Sequence, residues 1–438
     1  MSRTQDTIYA LSSGAPPAGV AVIRVSGMGV VPALETLTGG VPAPRIASLR
    51  SIRSRNGDVV DQAIVLYFPA PQSFTGEDCF EFQIHGGRAV VNATLAALHD
   101  IGLRHAEAGE FSRRAFDNGK LDLVEIEGLA DLISAETEMQ RRLAIQQSSG
   151  SLSALYQSWM QQLTRARALI EAELDFPDED DIPGSVSERV WAMVEDMTAD
   201  ISRHLEGNKA AEIIRDGFKV VIAGRPNAGK SSLMNALAKR DVAIVTEIPG
   251  TTRDIIGIDL DLDGYLVHLV DTAGLRETED RVEAEGVRRA RLSLEDADMV
   301  LLLKDVTDTG PDEEISVNGE IVKVCTKMDL IDGNHDSDAI GISAISGDGI
   351  DSLTKRISGS LAARAAHAGQ AMVARKRQVA LLKEALELLR ACIGNESLVT
   401  ELRAEYLRQA SHVLGKLTGF VDTEDLLGVI FSEFCVGK

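Results

Sequence analysis

A chain of 438 residues is long enough for two to four domains, each with its own core. Its 44% hydrophobic and 26% charged residues describe a soluble globular protein, and no apolar run approaches the roughly 20 residues of a membrane span. The net charge of −22 excludes a broad nucleic-acid-coating surface, so any RNA contact is local or assisted by a basic partner.

The N-terminus lacks the basic-then-apolar pattern of a signal peptide. Cys79, Cys325, Cys392 and Cys435 have neither metal-ligand nor disulfide spacing. A cytoplasmic protein with reduced thiols is expected.

Residues 1–118 read as short strands broken by Gly and Pro, at 19–27, 63–68 and 79–87, with helical stretches such as Val90 to Leu98 between them. That mixture predicts an α+β domain. From Leu121 to Ala211 the pattern turns helical, with Leu, Ile and Ala at three- and four-residue spacing. Two prolines and an acidic run at 175–183 interrupt it. The stretch from Ser360 to Gln370, rich in Ala and Gly, reads as a join, and 371–427 as helical again. These boundaries predict domains at 1–118, 119–214, 215–365 and 366–438. The fold class expected is multidomain α/β: an N-terminal α+β domain, a helical domain built from two chain segments, and an inserted Ras-like P-loop GTPase domain. An insertion tethers both ends of the third segment to the same helices, which would receive its switch motion.

The chemistry is densest in that third segment. Gly224-Arg225-Pro226-Asn227-Ala228-Gly229-Lys230-Ser231 fits GxxxxGK[ST], preceded by the β-branched run 220–223 and followed by helical spacing through Ser232 to Leu237. In such a loop backbone N–H groups wrap a β-phosphate, Lys230 neutralises phosphate charge and Ser231 offers a hydroxyl to Mg²⁺. Asp271-Thr272-Ala273-Gly274 closes the apolar run 266–270, where Asp271 reaches Mg²⁺ through water and the Gly274 N–H meets the γ-phosphate. Thr326-Lys327-Met328-Asp329 follows the run 321–324, and Asp329 is placed to accept from guanine N1 and N2. Ser343-Ala344 presents a backbone N–H to guanine O6, and a switch loop around Gly250-Thr251-Thr252 supplies a threonine to Mg²⁺. The nucleotide expected is GTP.

Two departures stand out. Thr326 occupies a position usually held by Asn, which both braces the P-loop and bonds the base; guanine binding is expected to weaken while Asp329 keeps its selectivity. Leu275 stands where Ras-type enzymes carry a water-orienting Gln. Hydrolysis then needs another group: Asn227, through a monovalent cation, or Glu283, through its carboxylate. A solvated helix face is the plainer reading of Glu283.

Outside these motifs lie Asp6-Thr7-Ile8, residues 73–78 (SFTGED), His85-Gly86-Gly87, residues 110–116 (EFSRRAF), 120–123 (KLDL) and the terminal Cys435-Val436-Gly437-Lys438. Together, over the whole chain, they resemble the MnmE (TrmE) family of tRNA modification GTPases. The resemblance implies that the N-terminal domain binds tetrahydrofolate and forms a homodimer. It implies a partner, the FAD-containing MnmG, in a heterotetramer. It also implies modification of C5 of the wobble uridine, position 34, of tRNA with 5-formyl- or methylene-tetrahydrofolate, giving aminomethyl or carboxymethylaminomethyl groups.

By motif, Arg24, Glu81, Lys120 and Lys438 are implied as folate contacts. For the two strand residues a solvent-facing position is the bland alternative, and Lys120 could simply open a helix. The loop Thr246-Glu247-Ile248-Pro249-Gly250-Thr251-Thr252 is implied in the nucleotide site together with Ala228, Gly229 and Ser232. Asn227, Thr246, Ile248 and Thr251 are implied as K⁺ ligands, Ser231 and Thr252 as Mg²⁺ ligands, and Glu283 as the water-orienting residue. Cys435 is implied as a nucleophile or acid–base group, although a cysteine so near a terminus is usually inert; Lys438 beside it could lower its pKa. The rival reading is a ribosome-assembly switch like the Era and Der GTPases, which would need a basic RNA-binding domain this acidic chain lacks.

Overall fold

The computed structural model describes residues 6–175, 186–240, 242–244, 257–271, 293–310, 315, 317–331, 338–366, 375–394, 398–419 and 437. The chain divides into two compact units. One holds the residues up to Ala130, Ser153–Met160 and the described residues from Ser411 onward. The other holds Asp131–Leu152 and Gln161–Ala410.

In the first unit, strands β1 (Ile8–Leu11), β2 (Ala18–Ser26), β3 (Ser48–Arg53), β4 (Val59–Phe68), β5 (Cys79–Gly86) and β6 (Arg104–His105) form one sheet in the order β3-β4-β5-β2-β1-β6. All neighbours are antiparallel except β1 and β6. Helices α1 (Val30–Thr38) and α2 (Arg88–Asp100) bury Leu34, Leu37, Val91 and Leu98 against one face, in a core with Ile23, Val25, Phe80, Phe82 and Ile84. Strand alternation therefore sends Arg24 and Glu81, which are register partners, to the other face. Helix α3 (Glu110–Asp117) adds Phe111 to a smaller cluster with Ile8, Ala10 and Ala106.

Five helices follow: α4 (Leu123–Ser134), α5 (Glu138–Ser148), α6 (Ser151–Asp175), α7 (Val186–Glu206) and α8 (Asn208–Asp216). The helical periodicity read from 121 to 211 is thus realised, and the acidic, proline-bearing interruption lies almost wholly outside the described residues. The second sheet orders its strands β13-β12-β11-β7-β10-β9-β8. These are β7 (Phe218–Gly224), β8 (Ala243–Ile244), β9 (Gly257–Leu262), β10 (Tyr265–Asp271), β11 (Met299–Asp305), β12 (Glu320–Thr326) and β13 (Ile340–Gly341). Strands β10, β7, β11, β12 and β13 run parallel; β8 and β9 are antiparallel to their neighbours. Apolar runs on the central strands, buried on both faces, are what a covered parallel sheet requires.

Helices α9 (Lys230–Ala238), α10 (Ile350–Ala365), α11 (Lys376–Ile393) and α12 (Thr400–Thr418) complete the fold. Helix α10 takes up the first half of the join expected at 360–370. It continues to Ala365 and buries Leu361 and Ala365, because a run of alanines favours helix and one Gly359 costs only about 1 kcal/mol. Residues 367–374 are outside the described ones. The two chain segments that flank the parallel sheet meet on one carboxylate of α4. Asp131 accepts from Arg375 Nη2 at 2.7 Å, where α11 begins, and from Arg215 Nε at 3.4 Å, just ahead of β7.

Candidate functional site

The parallel strands of the second sheet end together at one edge, the place where such sheets bind ligands. Strand β7 ends at Gly224, whose φ of 142° and 2.4 Å approach of a would-be Cβ to the Leu303 carbonyl oxygen require glycine. The loop that follows carries Asn227 at φ 63° and Gly229 at φ 90°, and Gly229 caps the N-terminus of α9. Lys230, 7% exposed, folds back under this loop and donates to the carbonyls of Gly224 at 2.7 Å and Arg225 at 2.9 Å. The result is a ring of backbone around a buried ammonium at a helix N-terminus, a ready anion site.

Ser231, the next residue of α9, has its hydroxyl 3.5 Å from Asp271 Oδ2 at the end of β10. Asp271 is buried. One hydroxyl and one carboxylate at this spacing suit a hard cation that keeps several waters. At the end of β12, Thr326 donates its Oγ1 hydrogen to the Ala228 carbonyl at 2.8 Å. The bracing of the P-loop expected to need asparagine is therefore made by threonine, and what a hydroxyl cannot reproduce is the second bond, to a base.

Asp329 accepts at Oδ1 from the Ser343 hydroxyl at 2.6 Å, and its other oxygen has no partner among the described residues. The Ser343 N–H is used on the Asp348 carbonyl at 2.9 Å, so of the Ser343-Ala344 pair the N–H left for a ligand is that of Ala344. Lys327, at φ 59°, pairs with Asp305 at the end of β11. Burial pushes the Asp305 carboxyl up, but the Lys327 ammonium and the Thr307 donors outweigh it and hold it below the ordinary range. Ser232 lies exposed on α9 beside this edge. Thr246, Glu247, Ile248, Pro249, Gly250, Thr251, Thr252, Thr272, Ala273, Gly274, Leu275 and Glu283 lie outside the described residues, as do Cys435 and Lys438.

A second candidate site occupies the first unit. Arg24 and Glu81 face each other across β2 and β5, with Arg24 Nε donating to Glu81 Oε1 at 2.9 Å. The Arg24 guanidinium lies 4.9 Å from the Phe74 ring centroid. Together with Arg45, Phe68, Gln72, Ser73, Cys79 and Lys120 they line a cleft of about 450 Å³. Arg24 and Glu81 are thus half-buried in a concave site instead of solvent-facing, and Lys120 precedes α4 by three residues without opening it.

The motif residues around the cleft form its scaffold. Ser26 bonds Thr75 at 2.7 Å and donates to Glu77 Oε2 at 2.7 Å; Glu77 in turn accepts from Arg114 at 3.0 Å, itself 4% exposed. Asn118 donates to the Thr75 carbonyl at 2.8 Å. At Gly76, φ 81°, a Cβ would come within 2.9 Å of Asn118 and 3.2 Å of Lys120, so glycine lets the Lys120 segment close on the cleft. Gly437 sits against β1: its carbonyl accepts from Ser12 Oγ at 2.8 Å, and a Cβ there would meet the Leu11 carbonyl oxygen at 2.1 Å. Leu11 follows Ala10, the register partner of Arg24. Sequence reasoning missed Arg45, Phe68 and Gln72, which are scattered in sequence and carry no motif; Phe74, inside the 73–78 motif, was the one lining aromatic with a signal.

Two family models match the chain. One, described as the MnmE helical domain, covers residues 123–435, and the other, the GTP-binding protein TrmE N-terminus, covers residues 7–120. Relatives named tRNA modification GTPase MnmE are similar over full length. The Rhizobium johnstonii protein is 58% identical over 439 residues, covering 100% of both chains. The Rhizobium etli protein is 59% identical with the same coverage. The Brucella anthropi protein is 50% identical over 100% of this chain and 99% of its own. Among the described residues no helix is long and apolar enough to cross a membrane.

Proposed function

The chain belongs to the MnmE family of tRNA modification GTPases, and we propose that its GTP hydrolysis is K⁺-stimulated and gates modification of C5 of the wobble uridine, position 34, of tRNA. It is a GTP hydrolase; the observation that carries the assignment is the ring of P-loop carbonyls and strand ends that gathers Lys230, Ser231, Asp271 and Thr326 at one edge.

In this reading the P-loop amides of Ala228, Gly229, Lys230 and Ser231 wrap the β-phosphate while Lys230 meets the γ-phosphate. Asp329 and the Ala344 N–H select guanine, with Lys327 beside them. Ser231, Asp271 and Thr252 would hold Mg²⁺, and Asn227, Thr246, Ile248 and Thr251 would hold K⁺. Bound there, these cations would supply positive charge beside the phosphates. Glu283 orients the attacking water in place of the absent glutamine. The same reading assigns Thr272, Ala273 and Gly274 to the γ-phosphate.

The N-terminal cleft fits a pterin with a glutamate tail. A half-buried carboxylate, Glu81, would accept from pterin nitrogens, the rings of Phe68 and Phe74 line the same cleft, and cations answer an anionic tail. We assign it the one-carbon tetrahydrofolate, 5-formyl or methylene. The contact of Gly437 beside the Arg24 ladder position supports a terminus turned towards this cleft, with Lys438 as a further contact and Cys435 as the reacting group. The chain acts as a homodimer in the cytoplasm with the FAD-containing MnmG. Its segments 1–118, 119–214, 215–365 and 366–438 are the folate-binding, first helical, GTPase and second helical parts.

Two measurements test this. GTP turnover is expected to rise steeply when K⁺ replaces Na⁺, by part of the 10³–10⁵ that an arginine finger supplies in related enzymes; equal rates would remove the K⁺ site. Cells lacking the gene should lack modified wobble uridine and regain it on complementation; unmodified tRNA after complementation would refute the tRNA role.

A further inference from the structure

The cleft of the first unit carries more positive charge than the Arg24–Glu81 pair explains. Arg24 is neutralised by Glu81 at 2.9 Å, whereas neither Arg45 nor Lys120 pairs with a carboxylate among the described residues. Arg45 is also held in place. Its backbone adopts φ 62°, an uncommon conformation for a residue with a Cβ, and its N–H donates to the Tyr67 carbonyl at 2.8 Å. Its guanidinium donates to the Gln72 carbonyl and lies 5.7 Å from the Phe68 ring centroid. Stacked on a ring and tied by one of its donors, the guanidinium keeps most of its N–H fork directed outward.

The depth of the groups differs as well. Arg24 and Glu81 are 22% and 18% exposed, whereas Arg45 and Lys120 are exposed at the rim. We infer that Arg45 is a ligand-selecting residue of the cleft, taking a carboxylate of the glutamate tail of a reduced folate whose pterin lies against Arg24 and Glu81. This rests on the folate assignment of the cleft and adds to it the residue that distinguishes a pteroylglutamate from a bare pterin. A planar fork suits a carboxylate bidentately, which the Lys120 ammonium does not.

The test is equilibrium binding of two probes to the full chain: 5-formyltetrahydrofolate, which carries the tail, and 6-methyltetrahydropterin, which lacks it. Arg45→Gln should weaken the tailed ligand about two- to fivefold, the scale of an exposed ion pair, and leave the pterin unchanged. Arg45→Lys should fall between. Raising salt should erode the wild-type advantage of the tailed ligand and hardly affect Arg45→Gln. The unfolding midpoint and GTP turnover verify that each variant folds. Equal weakening of both probes, or no weakening, overturns the assignment to Arg45. Failure of the wild type to bind either probe would instead bring down the folate reading itself, and this proposal with it.

Discussion

The nucleotide site and the N-terminal cleft are assembled in opposite ways. The first gathers the ends of parallel strands, so its residues sit in short contiguous motifs just after apolar runs: Gly224 to Ser231, Asp271, Thr326 to Asp329. The second lies on the broad face of an antiparallel sheet. Its residues come from a cross-strand pair, a loop after α1, the end of β4 and the stretch before α4. In the first, loop backbone and the side chains of Lys230, Ser231 and Asp271 converge on one edge, and Thr326 holds that backbone. In the second, side chains do the contacting, and a buried polar network of Ser26, Thr75, Glu77 and Arg114 holds the frame. Damage to the two sites should therefore be separable, and different in size.

The largest separation is expected from Lys230→Ala. The ammonium is enclosed by the loop that would hold the phosphates, so GTP turnover should fall at least about a hundredfold. Folate binding should be unchanged. Turnover within tenfold of wild type, or a parallel loss of folate binding, would break the comparison. The converse substitution, Glu81→Ala, should reduce reduced-folate affinity by about ten- to a hundredfold. It removes an acceptor and leaves the half-buried Arg24 without its 2.9 Å partner, a penalty of about 1–3 kcal/mol. GTP turnover by the isolated protein should not move; isothermal titration and a phosphate-release assay read the two quantities.

The same contrast explains what could be read from the sequence. Strand-end motifs are legible because sequence order and spatial order coincide there; the P-loop, Asp271 and Asp329 were found from spacing alone. The Arg24–Glu81 pair is 57 residues apart in sequence and came only through family motifs, since register is a tertiary outcome. Arg45 and Gln72 had no signal of either kind. Only the first half of the join expected at 360–370 is overturned, for another reason: alanine and glycine read as a linker composition, while Leu361 and Ala365 continue a buried helical stripe. The motif at 73–78 is diagnostic in the sequence, but its physical part, a glycine at φ 81° admitting the Lys120 segment, appears only with Asn118 and Lys120 beside it.

Thr326 sharpens the account of the nucleotide site at a smaller scale. Thr326→Val keeps the shape and removes the hydroxyl that braces Ala228, leaving a buried carbonyl with one bond fewer. A loss of about 1 kcal/mol, roughly fivefold in GTP affinity, is expected. Thr326→Asn should instead tighten GTP, by adding a base contact to the brace. A Val variant that binds GTP as well as wild type would show that the brace is incidental.

The smallest effect concerns His268 on β10, four residues ahead in the chain of the Thr272 that follows the sheet edge. Its Nδ1 lies 2.6 Å from Asp259 Oδ1 and its Nε2 lies 2.9 Å from the Asp216 carbonyl. Both partners only accept, so both ring nitrogens must donate, which an imidazole does only when protonated. The Asp259 hydrogen bond raises the His268 pKa above its ordinary 6.5, against the pull of burial, with further support from the Asp259 charge, the Asp216 carbonyl and Glu136. A folded-state pKa above the unfolded one contributes stability that is fully present below pH 6.5 and is lost as pH rises through the folded value. The unfolding midpoint of the wild type should therefore decline as pH is raised past 6.5. His268→Gln, which keeps one donor and carries no titrating proton, should start lower and decline less over that range. The ring is more than a third exposed, so the slope will be shallow. Parallel pH profiles for the two proteins would show that the ring is neutral and that one of the two contacts is not a hydrogen bond.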